Sequence, residues 1–431
     1  MEYQAALAYL DEHSNYEKTG RINSPSIARI EVFMEAMGDP QLGCPSIHIT
    51  GTNGKGSTTQ MITRLLMSRG LKVGTYTSPH LHRVNERFTI DTEPIGDEAF
   101  GEVIGAVADL ELIVGARPTF FEAITAAAFR WFADEVVDVM VIEVGMLGRW
   151  DATNVVRPEV CVVTNVGLDH AEYAGPTLAE IAIEKAGIVK PGSILICGET
   201  NPELAAIFAG AGADRVLQRD VDFGCTMNET ALGGRVLDVF TPLAVHGEVF
   251  LPLHGAHQGE NASLAIAAVE AFFDSAIPAD LLDEGLSAVQ MPGRFEVLGH
   301  QPLIIVDGAH NPHGADRCAE VFFSDFDPAG RRLLVVGCLE GRSVEDLLSA
   351  LRADEFDVVF CCTAPSPRGV SASVIADAAR SIGCETVHRY DTVLDACSAA
   401  QRMAASDDAL LVAGSLYVVG EAREVLKRLI P

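Results

Sequence analysis

Ile47-His48-Ile49-Thr50-Gly51-Thr52-Asn53-Gly54-Lys55-Gly56-Ser57-Thr58 is the stretch that decides how this chain is read. An apolar run ends in a glycine loop that carries a lysine and two hydroxyls. A helical pattern follows, with Met61, Leu65 and Leu66 apolar and Arg64 and Arg69 polar. Strand, glycine loop and helix start together make an anion cradle. The first N–H groups of a helix have no intrahelical partner, and the helix dipole favours negative charge there. Glycine lets the backbone approach a phosphate closely. Lys55 is placed to reach terminal phosphates, and Ser57 or Thr58 to hold a metal. The loop is shorter before its lysine than the common G-x-x-x-x-G-K-[ST] form. A plain strand-to-helix turn is the bland alternative, and the lysine and hydroxyls after the glycines argue against it.

Outward from this stretch, further apolar runs end in polar residues, as strands do where an α/β sheet binds ligands. Residues 71–77 read as a second strand that ends at Ser78-Pro79-His80. Taken alone, Ser78 fits a turn before proline, and His80, His82 and Arg83 fit a solvated loop. Residues 138–145 read as a buried parallel strand. Glu143 interrupts its end, where a carboxylate is costly unless paired or metal-bound. It suits a magnesium ligand or a strand-end ion pair. Residues 160–165 are another buried strand, followed by Gly167-Leu168-Asp169-His170.

Helices are expected over about 26–37, with an apolar stripe of Ile27, Ile30, Phe33, Met34 and Met37, and over 97–114. The segment 19–25 before them reads as a mobile loop. Another helix should run from Thr119 to about Asp134, opened by a capping box of Thr119 and Glu122. By helical pattern alone, Lys185 in the helix from Thr177 reads as a surface lysine. Residues 191–250 carry short strands and no readable site. Pro292-Gly293-Arg294-Phe295-Glu296 reads as a hinge. Beyond it, strands at 303–306, 333–336, 358–361 and 410–412 alternate with helices, a βαβ rhythm that predicts a Rossmann-like sheet. Asp307 closes the first of these, where an acidic side chain can hold ribose hydroxyls.

The chain has 431 residues, 48% of them hydrophobic, and 39 glycines, which suits an α/β protein of two or three domains. Its formal net charge of −29 argues against nonspecific nucleic-acid binding and reads as a solubilising acidic surface. It does not attract ATP, itself an anion, so a local basic pocket has to overcome the global field. No apolar run reaches the roughly 20 residues of a membrane span, and the first residues lack the order of a signal peptide. Ten scattered cysteines without a C-x-x-C fit reduced thiols in the cytoplasm.

Thr50 to Ser57 resembles the ATP loop of the Mur ligase superfamily, and glycine at 56 is the form of its folylpolyglutamate synthase and dihydrofolate synthase branch. The resemblance recurs in order along nearly the whole chain. It includes Ser78-Pro79-His80, Glu184-Lys185-Ala186-Gly187-Ile188, the segment from His254 to Ala262 and Asp307 to His313. Ser366-Pro367-Arg368-Gly369 and Gly414-Ser415-Leu416-Tyr417 also match. The run from Gly145 to Asn154 matches G-x-G-G-R-x-D-A-T-N except for Leu147, where glycine is usual. Gly341-Arg342-Ser343 departs from the family's Asp-Lys-Asp, so interdomain contacts there are expected to differ.

The resemblance implies a Mur-ligase-type ATPase domain with a mainly parallel sheet over residues 1–290 and a smaller Rossmann-like domain over 291–431. It implies ATP held by Gly51, Thr52, Asn53, Gly54, Lys55, Gly56, Ser57, Asn261, Arg294, Asp307 and His310, with Asn261 on the adenine and Arg294 on the phosphates. Magnesium would sit on Ser57, Ser78, Glu143 and His170, with K+ as a further candidate cation, and Lys185 would be carbamylated. The pterin would lie against Thr119, Phe120, Phe121, Glu122, Trp150, Asp151 and Ala152. Lys55, Lys185, His170 and Arg294 are the implied catalytic set.

The implied activity is ATP-dependent ligation of L-glutamate to dihydropteroate or a reduced folate through an acyl phosphate. A monomer is expected, with no nucleic-acid or membrane partner. Two alternatives stand beside it. A Mur-type cell-wall ligase would usually carry threonine after the loop lysine and a UDP-binding first domain. A non-catalytic nucleotide-binding regulator would not need Lys55, Glu143, His170 and Lys185 together.

Overall fold

The chain leaves its first strand through the glycine loop, and the sheet is arranged around that point. The computed structural model describes residues 1–20, 25–169, 171–341 and 343–429. The expectations for His170, for Arg342 and for most of the 19–25 loop therefore lie outside the described residues. The first sheet contains β1 Ser46–Thr50, β2 Val73–Tyr76, β3 Phe88–Ile90, β4 Glu93–Pro94, β5 Val139–Glu143, β6 Val160–Val163, β7 Ile194–Cys197 and β8 Arg215–Gln218. Their order is β4-β3-β2-β5-β1-β6-β7-β8. The strands from β2 to β8 pair in parallel, while β3 and β4 add on antiparallel at one edge.

Every residue of β1, β2, β5 and β6 is buried. That is why these strands read as continuous apolar runs rather than alternating ones. β1 lies between β5 and β6, so the chain leaves β1 toward one side of the sheet and later crosses to the other. The carboxyl end of β1 is thus a topological switch point, where open α/β sheets bind their ligands.

Helices that follow these strands cover the sheet. The helix Ala28–Ala36 buries Ile30, Phe33 and Met34, the middle of the expected stripe, and joins a core with Phe88, Phe100, Phe129 and Phe132. The helix Asp97–Val114 has its expected bounds. Phe120–Asp134 opens on Thr119, whose hydroxyl accepts the Glu122 N–H in a complete capping box. Residues 191–250, unreadable as a site, hold β7 and β8 and then a three-stranded antiparallel sheet of β9 Gly224–Ala231, β10 Gly234–Phe240 and β11 Val245–Leu251.

A second sheet comprises β12 Glu296–His300, β13 Leu303–Val306, β14 Arg332–Val336, β15 Val358–Cys362, β16 Val387–Tyr390 and β17 Ala409–Ala413. Its order is β12-β13-β17-β14-β15-β16, with only β12 antiparallel. The four strands expected from sequence form its centre. β16 was not among them: it is a half-exposed edge strand containing His388 and Arg389, so it lacks the apolar run that marks the others. The chain forms two compact units. One holds most of the residues up to Val289, and the other holds Gln290 onward together with Leu253–Gly255 and residues 17–20. Among the described residues, no helix is long and apolar enough to cross a membrane.

Candidate active site

The phosphate loop leaves β1 at Gly51 and enters the helix Lys55–Ser68. Two of its glycines are required by close approach. Gly51 (φ +151°) would place a Cβ against the Thr164 hydroxyl, and Gly54 (φ +83°) against the Asn261 side-chain oxygen. The loop is clamped to the end of β6. Thr52 N–H donates to the Asn165 carbonyl and Asn53 N–H to Asn165 Oδ1, both at 3.0 Å. The Thr164 hydroxyl donates to the Asn53 carbonyl at 2.6 Å, and Gly167 N–H to Thr52 Oγ1 at 2.8 Å. Thr52 and Asn53 therefore use their N–H groups on the scaffold. The donors aimed at an anion are the helix-start N–H groups that follow, which have no intrahelical partner. Thr164 and Asn165 were not read as site residues. Their signal was two polar residues closing an apolar strand.

Lys55 folds back over its own loop, its Nζ donating to the carbonyls of Gly51 at 3.0 Å and Thr52 at 3.2 Å. Ser57 is buried in the first turn. Lys185 is only 3% exposed, so the surface position expected from the helical pattern is corrected. It lies on the same face of the helix Leu178–Ala186 as the buried Ile181 and Ala182. That spacing is the signal that places it inside. Burial drives its pKa well below the ordinary lysine value. The positive charge of Lys55 pushes the same way, and Asp169 opposes both. Two lysines and the carboxylate of Asp169, quoted above beside His170, thus lie within electrostatic reach of one another.

Glu143 closes β5, buried, and its Oε2 accepts the Ser78 N–H at 3.2 Å. Among the described residues, no three His, Cys, Asp or Glu side chains gather into a metal cluster. Magnesium does not need one, since it commonly binds through one or two carboxylates, waters and substrate phosphates. A buried carboxylate with serine hydroxyls is a hard-oxygen donor set of that kind. Near Ser78, His80 accepts at Nδ1 from Arg87 Nε at 2.8 Å. Arg87 is fully buried and lies 5.3 Å from the Phe120 ring. No local pattern marks an arginine for such a position.

The loop after β5 is organised by Asp151. Its Oδ2 accepts Met146 N–H at 2.8 Å, and its Oδ1 accepts Thr153 N–H at 3.0 Å and the Thr153 hydroxyl at 2.6 Å. Burial raises the Asp151 pKa, and these bonds offset part of that rise. His48 in β1 reaches the same hydroxyl at 2.9 Å, with its pKa pushed down to about 3 by burial. Leu147 takes φ +58°, the left-handed conformation that the usual glycine adopts freely.

Of the residues expected against a pterin, Trp150 is half-exposed, Phe121 is partly buried beside Gly145, and Phe120 and Ala152 are buried. Thr119 and Glu122 serve the capping box, and Arg29 also binds both Glu122 oxygens at 3.1 Å. Asn261, 5% exposed, donates its amide to Gln258 Oε1 at 3.0 Å.

In the second unit, Arg294 sits in the turn before β12 and Asp307 follows β13. Asp307 accepts Phe295 N–H and Ala309 N–H, each at 2.7 Å. Burial raises its pKa, while Arg294 and those two bonds pull it down. His310 donates from Nδ1 to the Gly308 carbonyl at 2.8 Å, and Asn311 caps the helix Pro312–Ser324.

Taken together, these features define a nucleotide-binding α/β protein with a lysine-bearing phosphate loop at a sheet switch point and a second Rossmann-like unit. The Mur ligase middle domain matches residues 49–269, and the Mur ligase glutamate ligase domain matches residues 293–416. The dihydrofolate synthase/folylpolyglutamate synthase of Mycobacterium tuberculosis is 36% identical over 94% of this chain and 90% of its own. The structure of the M. tuberculosis folylpolyglutamate synthase complexed with ADP and AMPPCP has a TM-score of 0.90 at 34% identity, covering 98% of this chain and 99% of that one. Escherichia coli FolC in complex with DHPP and ADP has a TM-score of 0.89 at 28% identity, covering 99% and 98%. A Haloferax volcanii relative, a probable bifunctional folylpolyglutamate synthase/dihydropteroate synthase, is 34% identical over 99% of this chain, which spans 51% of that protein. The chain belongs to the folylpolyglutamate synthase/dihydrofolate synthase family of Mur ligases.

Proposed function

We infer that this protein is an ATP-dependent ligase of folate metabolism that joins L-glutamate to a pteroate or folate carboxylate. The observation that carries the reading is the electrostatic coupling of buried Lys185 with Lys55 and Asp169, with Glu143 closing the strand next to β1, in a family member matched along almost its whole length. The comparisons favour neither a cell-wall ligase nor a non-catalytic regulator. Residues 1–290 form the ATP-binding domain and 291–431 the second ligase domain. The protein acts as a monomer in the cytoplasm, a placement supported by ten free cysteines.

A carboxylate is a poor electrophile, so its oxygen first attacks the γ-phosphorus of ATP and ADP leaves. The glutamate amine then attacks the acyl carbon, phosphate departs, and the amine loses a proton. The helix-start N–H groups hold the phosphates, and the Lys55 ammonium offsets charge on the transferring group. Arg294 is a second phosphate ligand, because a planar guanidinium binds phosphate oxygens in pairs. Asn261 contacts the adenine, and Asp307 and His310 belong to the nucleotide side of the second domain. Phe121 and Trp150 offer ring faces to a pterin.

Ser57, Ser78 and Glu143, with His170, would hold magnesium, which when bound supplies charge neutralisation for phosphoryl transfer. K+ is a further candidate cation. Lys185 is the site of carbamylation: its neutral amine adds to CO2 and releases a proton, which turns a potential cation into a carboxylate. Its depressed pKa supports this step, since only the neutral amine reacts.

The test is glutamate ligation with dihydropteroate and a reduced folate supplied separately. ADP release that depends on both pterin and glutamate is expected. ATP hydrolysis indifferent to both would overturn the reading.

A further inference from the structure

The strand that leads into the phosphate loop also fastens the loop after β5. His48 and Thr50 lie two residues apart in β1, so their side chains leave the same face of the sheet. The Thr50 hydroxyl donates to the Leu147 carbonyl, and the His48 ring meets the Thr153 hydroxyl at 2.9 Å. Thr153 passes that contact on, since its hydroxyl donates to Asp151 Oδ1 at 2.6 Å. Asp151 in turn holds both sides of the turn, Met146 N–H at 2.8 Å and Thr153 N–H at 3.0 Å. A relay of three side chains therefore runs from β1 into a loop whose Trp150, Asp151 and Ala152 are expected against a pterin.

A hydroxyl has one proton to give. Thr153 gives it to Asp151, so toward His48 it presents a lone pair, and His48 Nε2 carries the hydrogen between them. Burial keeps the ring neutral, with its pKa pushed down to about 3, and the charge of Lys190 acts the same way. The remaining nitrogen, Nδ1, is then a bare acceptor. It is buried and has no hydrogen-bond partner among the described residues. The neighbours of His48 across the sheet are Ile142 and Cys161. A leucine would fill such a place without stranding a polar atom. What a leucine cannot do is offer Thr153 a hydrogen. We infer that His48 is a positioning residue whose Nε2–H fixes Thr153, and through it Asp151, so that the 145–154 loop is set against the strand that carries the phosphate loop. His48 is fully buried, so its effect on a substrate passes through that loop. The inference rests on the reading of the loop as a pterin surface.

The experiment compares the full chain with His48→Leu, His48→Gln, His48→Asn, Thr153→Val and the double variant His48→Leu/Thr153→Val. Glutamine can place an amide N–H where Nε2 stands, whereas asparagine reaches only the place of Nδ1. Hydrogen exchange in the substrate-free protein reads the loop directly. Ligation kinetics give KM for ATP and for whichever of dihydropteroate and a reduced folate the parent uses. His48→Leu should speed exchange of the Met146 and Thr153 amides. It should raise the pterin KM roughly fivefold or more, the scale of one neutral hydrogen bond, and leave the ATP KM within about twofold. His48→Gln should restore both the exchange and the pterin KM, and His48→Asn should restore neither. The double variant should be no worse than Thr153→Val, because the two residues share one path. Should His48→Leu fold poorly by circular dichroism, the contrast between His48→Gln and His48→Asn carries the same test. Equal losses in those two variants, or losses that multiply in the double variant, would overturn the inference. Faster exchange with an unchanged pterin KM would overturn it as well, since the loop would then loosen without consequence for the substrate. A parent that releases no ADP in response to either pterin would instead overturn the functional reading, and exchange alone would still decide whether His48 holds the loop.

Discussion

Lys185 shows how one side chain can change character with its surroundings. On the surface it would be a solvated ammonium; at 3% exposure beside Lys55, its charged form is penalised twice. The unfolded chain protonates this lysine below about its ordinary value of 10.5, while the native state resists doing so far lower. Between those limits the unfolded state binds more protons, so stability falls as pH falls from above 10.5 toward the native pKa and levels off below it. In CO2-free buffer at about pH 8, Lys185→Met should therefore unfold at a higher temperature than the parent, and the gap should close as pH approaches the unfolded value. Lys185→Ala should lose ligation and regain part of it with a short-chain carboxylate in solution. Lys185→Arg should be inactive and not rescued, because its charge is fixed; an active Lys185→Arg enzyme would rule out carbamylation as a requirement. Lys55→Ala should lower ligation at least about 100-fold, the scale of losing one transition-state charge contact. Its melting temperature should change little, since among the described residues the ammonium bonds only its own loop. Ligation within threefold of the parent would remove Lys55 from the phosphate site.

At the scale of elements, the loop after β5 sets strain against packing. Leu147 adopts a left-handed φ, which costs a side-chain-bearing residue roughly 1–2 kcal/mol. It also buries its side chain to 8% exposure, worth roughly 1.5–3 kcal/mol. Glycine would relieve the first, forfeit the second and add about 0.4–1 kcal/mol of unfolded-state entropy. Packing wins, so Leu147→Gly should destabilise by about 1–2 kcal/mol, read as a lower urea midpoint at unchanged slope. A stabilised variant would mean that strain outweighs packing there. The same loop hangs its carbonyl on β1, since the Thr50 hydroxyl donates to Leu147 O at 2.5 Å. A looser loop should therefore also disturb the start of the phosphate loop. Two further element starts, at Thr119 and Thr177, use the same capping box of a threonine with glutamate three residues on, and the one at Thr119 is the one read from the sequence.

For the whole molecule, 60 acidic against 31 basic side chains leave a net charge of −29. Many ion pairs are exposed, such as Arg130–Asp134 and Arg380–Asp377, and exposed pairs contribute little each. Repulsion among the excess carboxylates is the larger collective term. Raising KCl from about 0.1 M to 1 M shortens the screening length from about 10 to 3 Å. The urea midpoint should therefore rise with salt. A fall would show that attractive pairs dominate the surface.

Local order in the chain determined much of this protein by itself. The glycine loop, its lysine, the strand ends at Ser78, Glu143 and Asp307, the helix caps and the central βαβ rhythm of the second unit all depend on neighbours within a few residues. The contacts that only the tertiary structure decided join distant residues. Gly167 N–H meets Thr52 Oγ1 across 115 positions, and the loop clamp depends on it. Strand order, with β1 between β5 and β6, places Lys185 near Lys55, and no helical pattern states that proximity. The buried Arg87 lies beside the ring of Phe120, which comes from a distant helix. A strand end announces that a carboxylate such as Asp307 is near a ligand site, but its partners are set by which backbone N–H groups the folded turn brings to it. Hydrogen-bond capacity is spent locally in space rather than in sequence, so the role of such a side chain emerges only when the chain has closed around it.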